Sequence, residues 1–281
     1  MIRLLVAVLA AFQLSTALAA PAAPPHPSAG NGKVESILTL ARKEFYRARY
    51  EAALKLLEGY LAHGKIGKTR PILHFYVITS IGHIYLHVKQ DPDGAIAFFS
   101  KVQSDPRLKA AEQDIVSGWI SGAREWKKLG KLPKDVTDAD TLFSLGKQYF
   151  DAGVKKQKFT LDPAAAADFS IAAAYFVPFT VHFDKDERDG EALYMMGEIR
   201  RRTWSDNEYW SENFYLTEVI RRHPGTELAQ KAYSALEDDV HFGYSGSGGD
   251  NTPQSWVALL KDLKTLAYGK KSGTEAQKGL N

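Results

Sequence analysis

The sequence predicts an all-α protein, and three observations lead to that fold class. Residues 188–239 form three consecutive segments in which apolar side chains recur at the spacing of an amphipathic helix. Tight-turn signals separate these segments, and His223-Pro224-Gly225-Thr226 is the clearest of them. No stretch of the sequence alternates apolar and polar residues convincingly with the period of two that indicates a strand. Helices with one apolar face each must stack to bury it, so we predict stacked helix pairs.

The composition is ordinary for a soluble folded protein. The 281 residues are 44% hydrophobic and 25% charged, which is ample for a sizeable core. The formal net charge is only +3, so composition alone does not indicate a nucleic-acid partner. The sequence contains no Cys, which excludes disulfides, thiolate metal sites, a cysteine nucleophile, covalent haem attachment and a lipid-anchored lipoprotein.

Residues 1–19 have the pattern of a secretory signal peptide. A positively charged start and a short apolar core precede the small-residue cleavage site Ala17-Leu18-Ala19. We expect cleavage after Ala19, because a cut one residue later would place Pro21 next to it. The apolar core is too short for a stable membrane span, so we expect export to the periplasm and no stable span after cleavage. Residues 20–33 are rich in Pro and Ala and are predicted to be a disordered spacer.

Local signals predict two helical pairs after the spacer. Residues 34–48 and 50–62 form the first pair, with a very short turn between them. Residues 71–89 form a long helix rich in β-branched and aromatic side chains. Asp91-Pro92 then starts its partner helix with a capping carboxylate and a proline at the first helical position.

The middle of the sequence predicts three further helices. Asp105-Pro106 is expected to start a helix over residues 108–129, in which Gly118 and Gly122 would let a neighbour approach closely. Thr137 with Asp140 is expected to start the next helix, and Asp162-Pro163 the one after it. Pro178 must end or kink that second helix.

The C-terminal part completes the predicted organisation. The helical solenoid covers residues 34–239, and residues 240–251 form a Gly/Ser-rich loop. Residues 252–268 form a last amphipathic helix, and residues 269–281 form a disordered tail.

Several predicted helices carry a small residue flanked by apolar ones, and partner helices carry Tyr50-Glu51-Ala52-Ala53-Leu54 and Gly94-Ala95-Ile96. The small residues are Ala41, Gly82, Gly146 and Gly197. This pattern resembles the tetratricopeptide repeat (TPR), in which small residues let paired helices close on each other. The resemblance implies a right-handed α-solenoid of stacked helix pairs. The intervals between the small residues are unequal and longer than the family period of about 34 residues, which implies inserted helices. An irregular helical bundle is the alternative.

The resemblance also implies a binding groove. In such repeats the first helix of each pair lines a concave surface, and residues at fixed offsets from the small residue face into it. Here they would form a basic and aromatic groove suited to an extended peptide, a carboxylate terminus or another anionic ligand. The candidate groove residues are Arg42, Phe45, Tyr46, His83, His87, Lys147, Phe150, Tyr194, Glu198, Arg201 and Arg202. The alternative is that the charged members only solvate helix faces.

His83 and His87 are four residues apart on one helix, the spacing at which two imidazoles can share a metal. No Glu lies between them and no third ligand can be identified, so we predict groove or packing histidines and no metal site. The Asp-rich loop before residue 190 does not fit an EF-hand, because its glycine falls one place too late.

These observations predict a non-enzymatic, exported scaffold or adaptor of the bacterial cell envelope, with no cofactor and no nucleic-acid partner. Residues 223–232 are similar to the turn between repeats in bacterial envelope proteins of this kind. The expected partner is an envelope protein or peptide, and the oligomeric state stays open. Two alternatives remain: an accessory protein of a transport system that binds a small anionic solute, and an enzyme of an unfamiliar type.

Overall fold

The computed structural model describes residues 32–63, 71–203 and 211–269. The described part is mostly helical, which confirms the all-α class. The predicted signal peptide, nearly all of the spacer and nearly all of the tail lie outside the described residues. The helices are α1 Gly32–Tyr46, α2 Tyr50–His63, α3 Pro71–His83, α4 Pro92–Gln103, α5 Ala110–Leu129, α6 Ala139–Lys156, α7 Ala166–His182, α8 Asp189–Arg202, α9 Ser211–Arg222, α10 Glu227–Tyr244 and α11 Gln254–Tyr268.

Three short helical elements extend or precede these helices. A π-helical turn, Ile84–Val88, continues α3. Single 3₁₀ turns, Pro133–Asp135 and Pro163–Ala165, precede α6 and α7. The predicted helix over residues 71–89 is therefore α3 together with its π-helical turn.

A small β-ladder follows α10, where the sequence indicated only a flexible loop. Strand β1 (Ser245–Gly246) pairs antiparallel with β2 (Gly249–Asp250). The Asp250 carboxylate holds the base of this hairpin, because it lies 2.6 Å from Nδ1 of His241 and accepts a hydrogen bond from the Thr252 backbone. Residues 240–251 are thus partly the end of α10 and partly this hairpin.

Two predicted helix starts are confirmed by their hydrogen bonds. The Asp91 carboxylate accepts a bond of 2.8 Å from the backbone N–H of Gly94, and a proline occupies the first position of α4. Thr226 Oγ1 accepts a bond of 3.1 Å from the N–H of Ala229 at the start of α10. Gly225 has a φ of 75°, the left-handed conformation that separates α9 from α10.

The prediction that Asp105-Pro106 starts α5 is wrong. The Asp105 carboxylate binds Arg107 through the arginine backbone N–H and guanidinium, which makes a local turn. Helix α5 begins at Ala110, where the Glu112 side chain accepts a bond of 2.7 Å from the backbone N–H of Lys109. The cap of α6 is also shifted by one residue, because the carboxylate of Asp138 makes it.

Helix α7 continues through Pro178 to His182, so the proline does not end it. Proline cannot donate the backbone hydrogen bond of a helix interior. Within the same turn, Thr180 Oγ1 donates to the carbonyls of Phe176 at 3.0 Å and Val177 at 3.2 Å. Burial of α7 explains its length, because its neighbours cover it on several sides.

Helix α7 lies at the centre of the fold. It packs against α3, α5, α6 and α8, and every residue from 166 to 176 is buried. Among the described residues, Pro163–His182 is the one helical segment long and apolar enough to cross a membrane, with a mean hydropathy of 1.4. However, 72% of this window is buried inside the protein, as expected of a core helix.

Consecutive helices pack closely, with extensive contacts between α1 and α2, α4 and α5, α6 and α7, and α8 and α9. Predicted small residues lie at two of these contacts. A Cβ atom added to Gly146 of α6 would lie 2.7 Å from the ring of Phe176 on α7. One added to Gly197 of α8 would lie 2.6 Å from Leu216 on α9. Glycine therefore permits the close approach of both pairs.

Helix α5 fits against the core through glycines as well. Gly82 of α3 faces Trp119 of α5, with 2.5 Å between an added Cβ and the indole ring. Gly122 lies against Ala167 of α7, as predicted, with 2.8 Å between an added Cβ and the alanine methyl. The same prediction for Gly118 is wrong, since no atom lies within 4 Å of an added Cβ there.

Candidate functional site

Five of the predicted groove residues lie on α1, α3 and the π-helical turn. Phe45 and His83 are buried, and the centroids of their rings are 6.4 Å apart. Arg42 and His87 are partly exposed, whereas Tyr46 is 53% exposed. The structure thus brings Phe45 next to His83 and His87, and two of the five residues, Phe45 and His83, belong to the core.

The two histidines contact each other directly. His87 Nδ1 lies 3.1 Å from His83 Nε2, and His83 Nδ1 lies 3.4 Å from Ser170 Oγ on α7. Burial, together with the positive charge of Arg200, lowers the pKa of His83 to about 3. Burial, His83 and Arg200 also lower the pKa of His87 well below its usual value. Both rings are therefore neutral at neutral pH.

No third His, Asp or Glu side chain joins this histidine pair in a metal-binding group among the described residues. A metal-binding group needs three or more ligand side chains in most protein sites. The described residues contain no cluster of three or more His, Asp or Glu side chains that could hold a metal ion. Packing explains the pair, because the His83 ring lies beside Phe45 of α1 and Ser170 of α7, and the His87 ring packs edge-on against His83.

A second group of predicted residues forms an ion-pair network between α8 and α10. Arg201 Nη1 donates to Glu198 at 2.7 Å, and Arg202 Nε donates to the other oxygen of Glu198 at 3.2 Å. Arg201 Nε also donates to both carboxylate oxygens of Asp239, and Arg202 Nη1 donates to Gln157. These guanidinium groups therefore bind side chains of the protein itself.

The remaining predicted residues lie on α6 and α8. Lys147 Nζ is 3.6 Å from carboxylate oxygens of both Asp151 and Glu191, so it is also close to internal acids. Phe150 packs against an aromatic ring of α7. Tyr194 is partly buried, and burial raises the pKa of its hydroxyl. The candidate residues thus form separate clusters, and most of their cations already have carboxylate neighbours.

A concave site lies elsewhere in the described part of the chain, where the second halves of α5 and α6 meet the start of α7. It is a cleft of about 480 Å³, a size within the range of about 300–1,000 Å³ that is usual for ligand sites. We call it the α5–α6–α7 cleft. Its lining residues are Glu125, Lys128, Leu129, Gln148, Tyr149, Ala152, Lys156 and Asp168.

Charged side chains of both signs line this cleft. Lys156 Nζ donates to both carboxylate oxygens of Asp168, at 2.8 and 2.9 Å. The Asp168 side chain is only 4% exposed, and burial raises its pKa although Lys156 opposes this effect. Glu125 and Lys128 are exposed on α5, and no ion pair joins either of them to another described residue.

Aromatic side chains support the wall of the cleft. The ring of Tyr149 is nearly parallel to that of Tyr175, with centroids 6.1 Å apart. Trp126 Nε1 donates a hydrogen bond of 2.7 Å to the Tyr175 hydroxyl, which in turn donates to the backbone carbonyl of Lys131. These contacts fix Tyr149 between a buried aromatic layer and the cleft.

Sequence reasoning missed every lining residue of the α5–α6–α7 cleft. A local signal was present, because Glu125, Lys128 and Leu129 share one face of α5, and Gln148, Ala152 and Lys156 share one face of α6. Such a stripe on a single helix is typical of a solvated surface. Only the packing of α5 and α6 on α7 shows that the two stripes meet.

Comparison with known proteins identifies no relative: no family model, curated protein or solved structure matches the chain.

Proposed function

We propose that this protein is a non-enzymatic, exported scaffold that binds a peptide or partner protein in the cell envelope. Its helices would form a right-handed, TPR-like α-solenoid of stacked pairs, with α5 as an inserted helix. Export to the periplasm rests on the sequence pattern of residues 1–19. Nucleic acid is not a proposed partner, because the net charge is small and nucleic acid is not expected in the periplasm.

The observation that carries this proposal is the close packing of consecutive helices through small residues. Gly146 against Phe176 and Gly197 against Leu216 are contacts between one helix and the next along the chain. In stacked helix pairs each repeat packs against its neighbours, and the stack forms an extended surface that binds other proteins. The central position of α7 departs from a strict solenoid, in which each pair contacts only its neighbours.

Among the predicted groove residues, Tyr46 offers the best contact point for a partner. It is a large, exposed aromatic side chain at the end of α1, with Arg42 one turn before it. Aromatic side chains and arginines are enriched at the centre of protein interfaces. By contrast, Arg201 is held by Glu198 and Asp239.

The test is photo-crosslinking in the native cell from a probe residue at position 46. A control probe replaces Lys261, an exposed residue of α11. The expected result is a discrete protein adduct from position 46 and none from position 261. The partner segment found by mass spectrometry should then bind the purified protein, and Tyr46→Ala should weaken that binding at least tenfold. Identical adducts from both positions, or no protein adduct, would contradict the proposal.

The alternative is a solute-binding accessory protein that takes a small anion. The α5–α6–α7 cleft supports a small ligand that contains a carboxylate, because it has room for a small molecule and carries Lys128, an exposed cation that can hold such a group. Native mass spectrometry of gently purified protein distinguishes the two functions. A bound small anion, together with no protein adduct from either crosslinking position, would establish the alternative.

A further inference from the structure

We propose that the α5–α6–α7 cleft binds a small zwitterion, a molecule with one ammonium and one carboxylate, the class to which free α-amino acids belong. This site would be separate from the proposed protein-binding surface at Tyr46. Neither site depends on the other, so an experiment can contradict one proposal and leave the other intact.

The exposed charges on α5 provide the first argument. Glu125 and Lys128 are three residues apart, so their side chains emerge about 5–6 Å from each other on one helix face. An acid and a base at this spacing commonly pair, but these two do not form an ion pair with each other in the structure. Glu125 accepts only a long hydrogen bond from Ser121, at 3.3 Å. The cleft therefore presents one anion and one cation side by side.

The buried pair on the opposite wall provides the second argument. Asp168 is almost fully buried, and both of its oxygens accept from Lys156 Nζ. An ammonium has three N–H donors, so one donor of Lys156 remains for a ligand carboxylate. The side-chain amide of Gln148, which also lines the cleft, offers both a donor and an acceptor. Asp168 acts as a positioning residue, because it fixes the ammonium of Lys156.

Charge balance selects a zwitterion over a singly charged ligand. The lining residues comprise two cations, Lys128 and Lys156, and two anions, Glu125 and Asp168. A simple anion would be attracted by the two lysines but repelled by Glu125. A simple cation would be attracted by Glu125 but repelled by the lysines. A molecule that carries both charges can place its carboxylate near Lys128 and Lys156 and its ammonium near Glu125. Each charged end of such a molecule can then contact at least one group of opposite charge.

The experiment is isothermal titration calorimetry of the full-length mature protein with a panel of free L-amino acids. For alanine-sized ligands the comparison is with propionate, which lacks the ammonium, and with ethylamine, which lacks the carboxylate. Di- and trialanine separate a free amino acid from the end of a peptide. We expect at least one amino acid or short peptide to bind, and its singly charged analogues to bind at least tenfold more weakly. If a free amino acid binds more tightly than the peptides, the ligand is a free amino acid. If a peptide binds more tightly, the ligand is the end of a peptide.

Variants tie the binding to this cleft. Lys128→Gln and Glu125→Gln change exposed side chains, so both variants should fold, and each should weaken binding about tenfold or more. Lys127→Gln is the control, because Lys127 binds Asp93 and does not line the cleft. Three results would overturn the inference: no member of the panel binds, a singly charged analogue binds as tightly as the zwitterion, or the two cleft variants bind like the control.

Discussion

Arg201 and Asp239 join α8 to α10 through two hydrogen bonds from one guanidinium nitrogen, with 2.9 and 2.8 Å between Nε and the carboxylate oxygens. Both side chains are about three-quarters covered, with 26% and 24% exposure. Burial alone would lower the pKa of the guanidinium, but its bonds to Asp239 and Glu198 raise it. This arginine, which the sequence analysis placed in the candidate groove, joins two helices in the structure.

Replacement of Arg201 by Ala should destabilise the protein. It leaves the partly buried Asp239 carboxylate without its arginine donor and leaves Glu198 only its bond to Arg202, which costs about 1–3 kcal/mol. Urea unfolding of Arg201→Ala, Asp239→Ala and the double variant measures the coupling. We expect the double variant to be more stable than the sum of the single effects predicts, by about 0.5–3 kcal/mol.

The control for this cycle is the exposed pair Lys231 and Glu227 on α10. Lys231→Ala should leave the unfolding free energy close to that of the wild type, because both groups are well solvated. If the effects of Arg201→Ala and Asp239→Ala simply add, the contact between α8 and α10 does not contribute to stability.

Gly146→Ala tests the close approach of α6 and α7. The added methyl would lie 2.7 Å from the ring of Phe176, which is fully buried and cannot move aside freely. We expect a loss of about 1–3 kcal/mol in the unfolding free energy, as for other overpacked cores. Gly118→Ala is the control within α5, because no atom lies within 4 Å of its added Cβ. That variant should gain up to about 1 kcal/mol from helix propensity. Equal effects of the two changes would mean that α6 and α7 are not in close contact at Gly146.

The sequence predicted the helices well where local chemistry decides their limits. Asp91 and Thr226 cap helices as expected, because a side-chain oxygen and a backbone N–H three residues later suffice. The errors arise where distant parts of the chain decide. Pro178 remains inside α7, a helix that packs against four neighbouring helices, and Asp105 binds Arg107 instead of starting a helix.

The candidate site was predicted less well than the fold, for the same reason. Helical spacing placed Arg201 and Glu198 on one face but could not show that Asp239, 38 residues away from Arg201, completes their network. The α5–α6–α7 cleft depends on Lys156 meeting Asp168 across two helices. Contacts of this kind follow from tertiary packing, which periodicity within one helix does not contain.

Tyr175→Phe tests the polar contact inside the aromatic layer behind the cleft. Without the hydroxyl, the indole N–H of Trp126 loses its acceptor and the carbonyl of Lys131 loses its donor. Because Trp126 and Tyr175 are fully buried, we expect a loss of about 1–3 kcal/mol in urea unfolding. Tyr233→Phe is the control: its hydroxyl donates to Glu237 on the same helix, and that carboxylate is 35% exposed and can bind water instead, so the loss should be smaller. Equal losses would mean that the hydroxyl of Tyr175 has no special structural role.

We expect the protein to lose unfolding free energy in mild acid because of His83 and His87. Folding lowers the pKa of His83 from 6.5 to about 3 and also lowers that of His87, through burial and the charge of Arg200. As the pH falls below about 6.5, the unfolded chain binds protons that the folded protein does not. The contribution of the two neutral histidines to the unfolding free energy is therefore fully present above pH 6.5. Below that pH the unfolding free energy should fall by up to about 1.4 kcal/mol per pH unit for each histidine.

Urea unfolding between pH 7 and pH 4.5 measures this slope. His87→Gln should make this slope shallower by about one proton. A wild-type slope in His87→Gln would show that folding does not lower the pKa of His87.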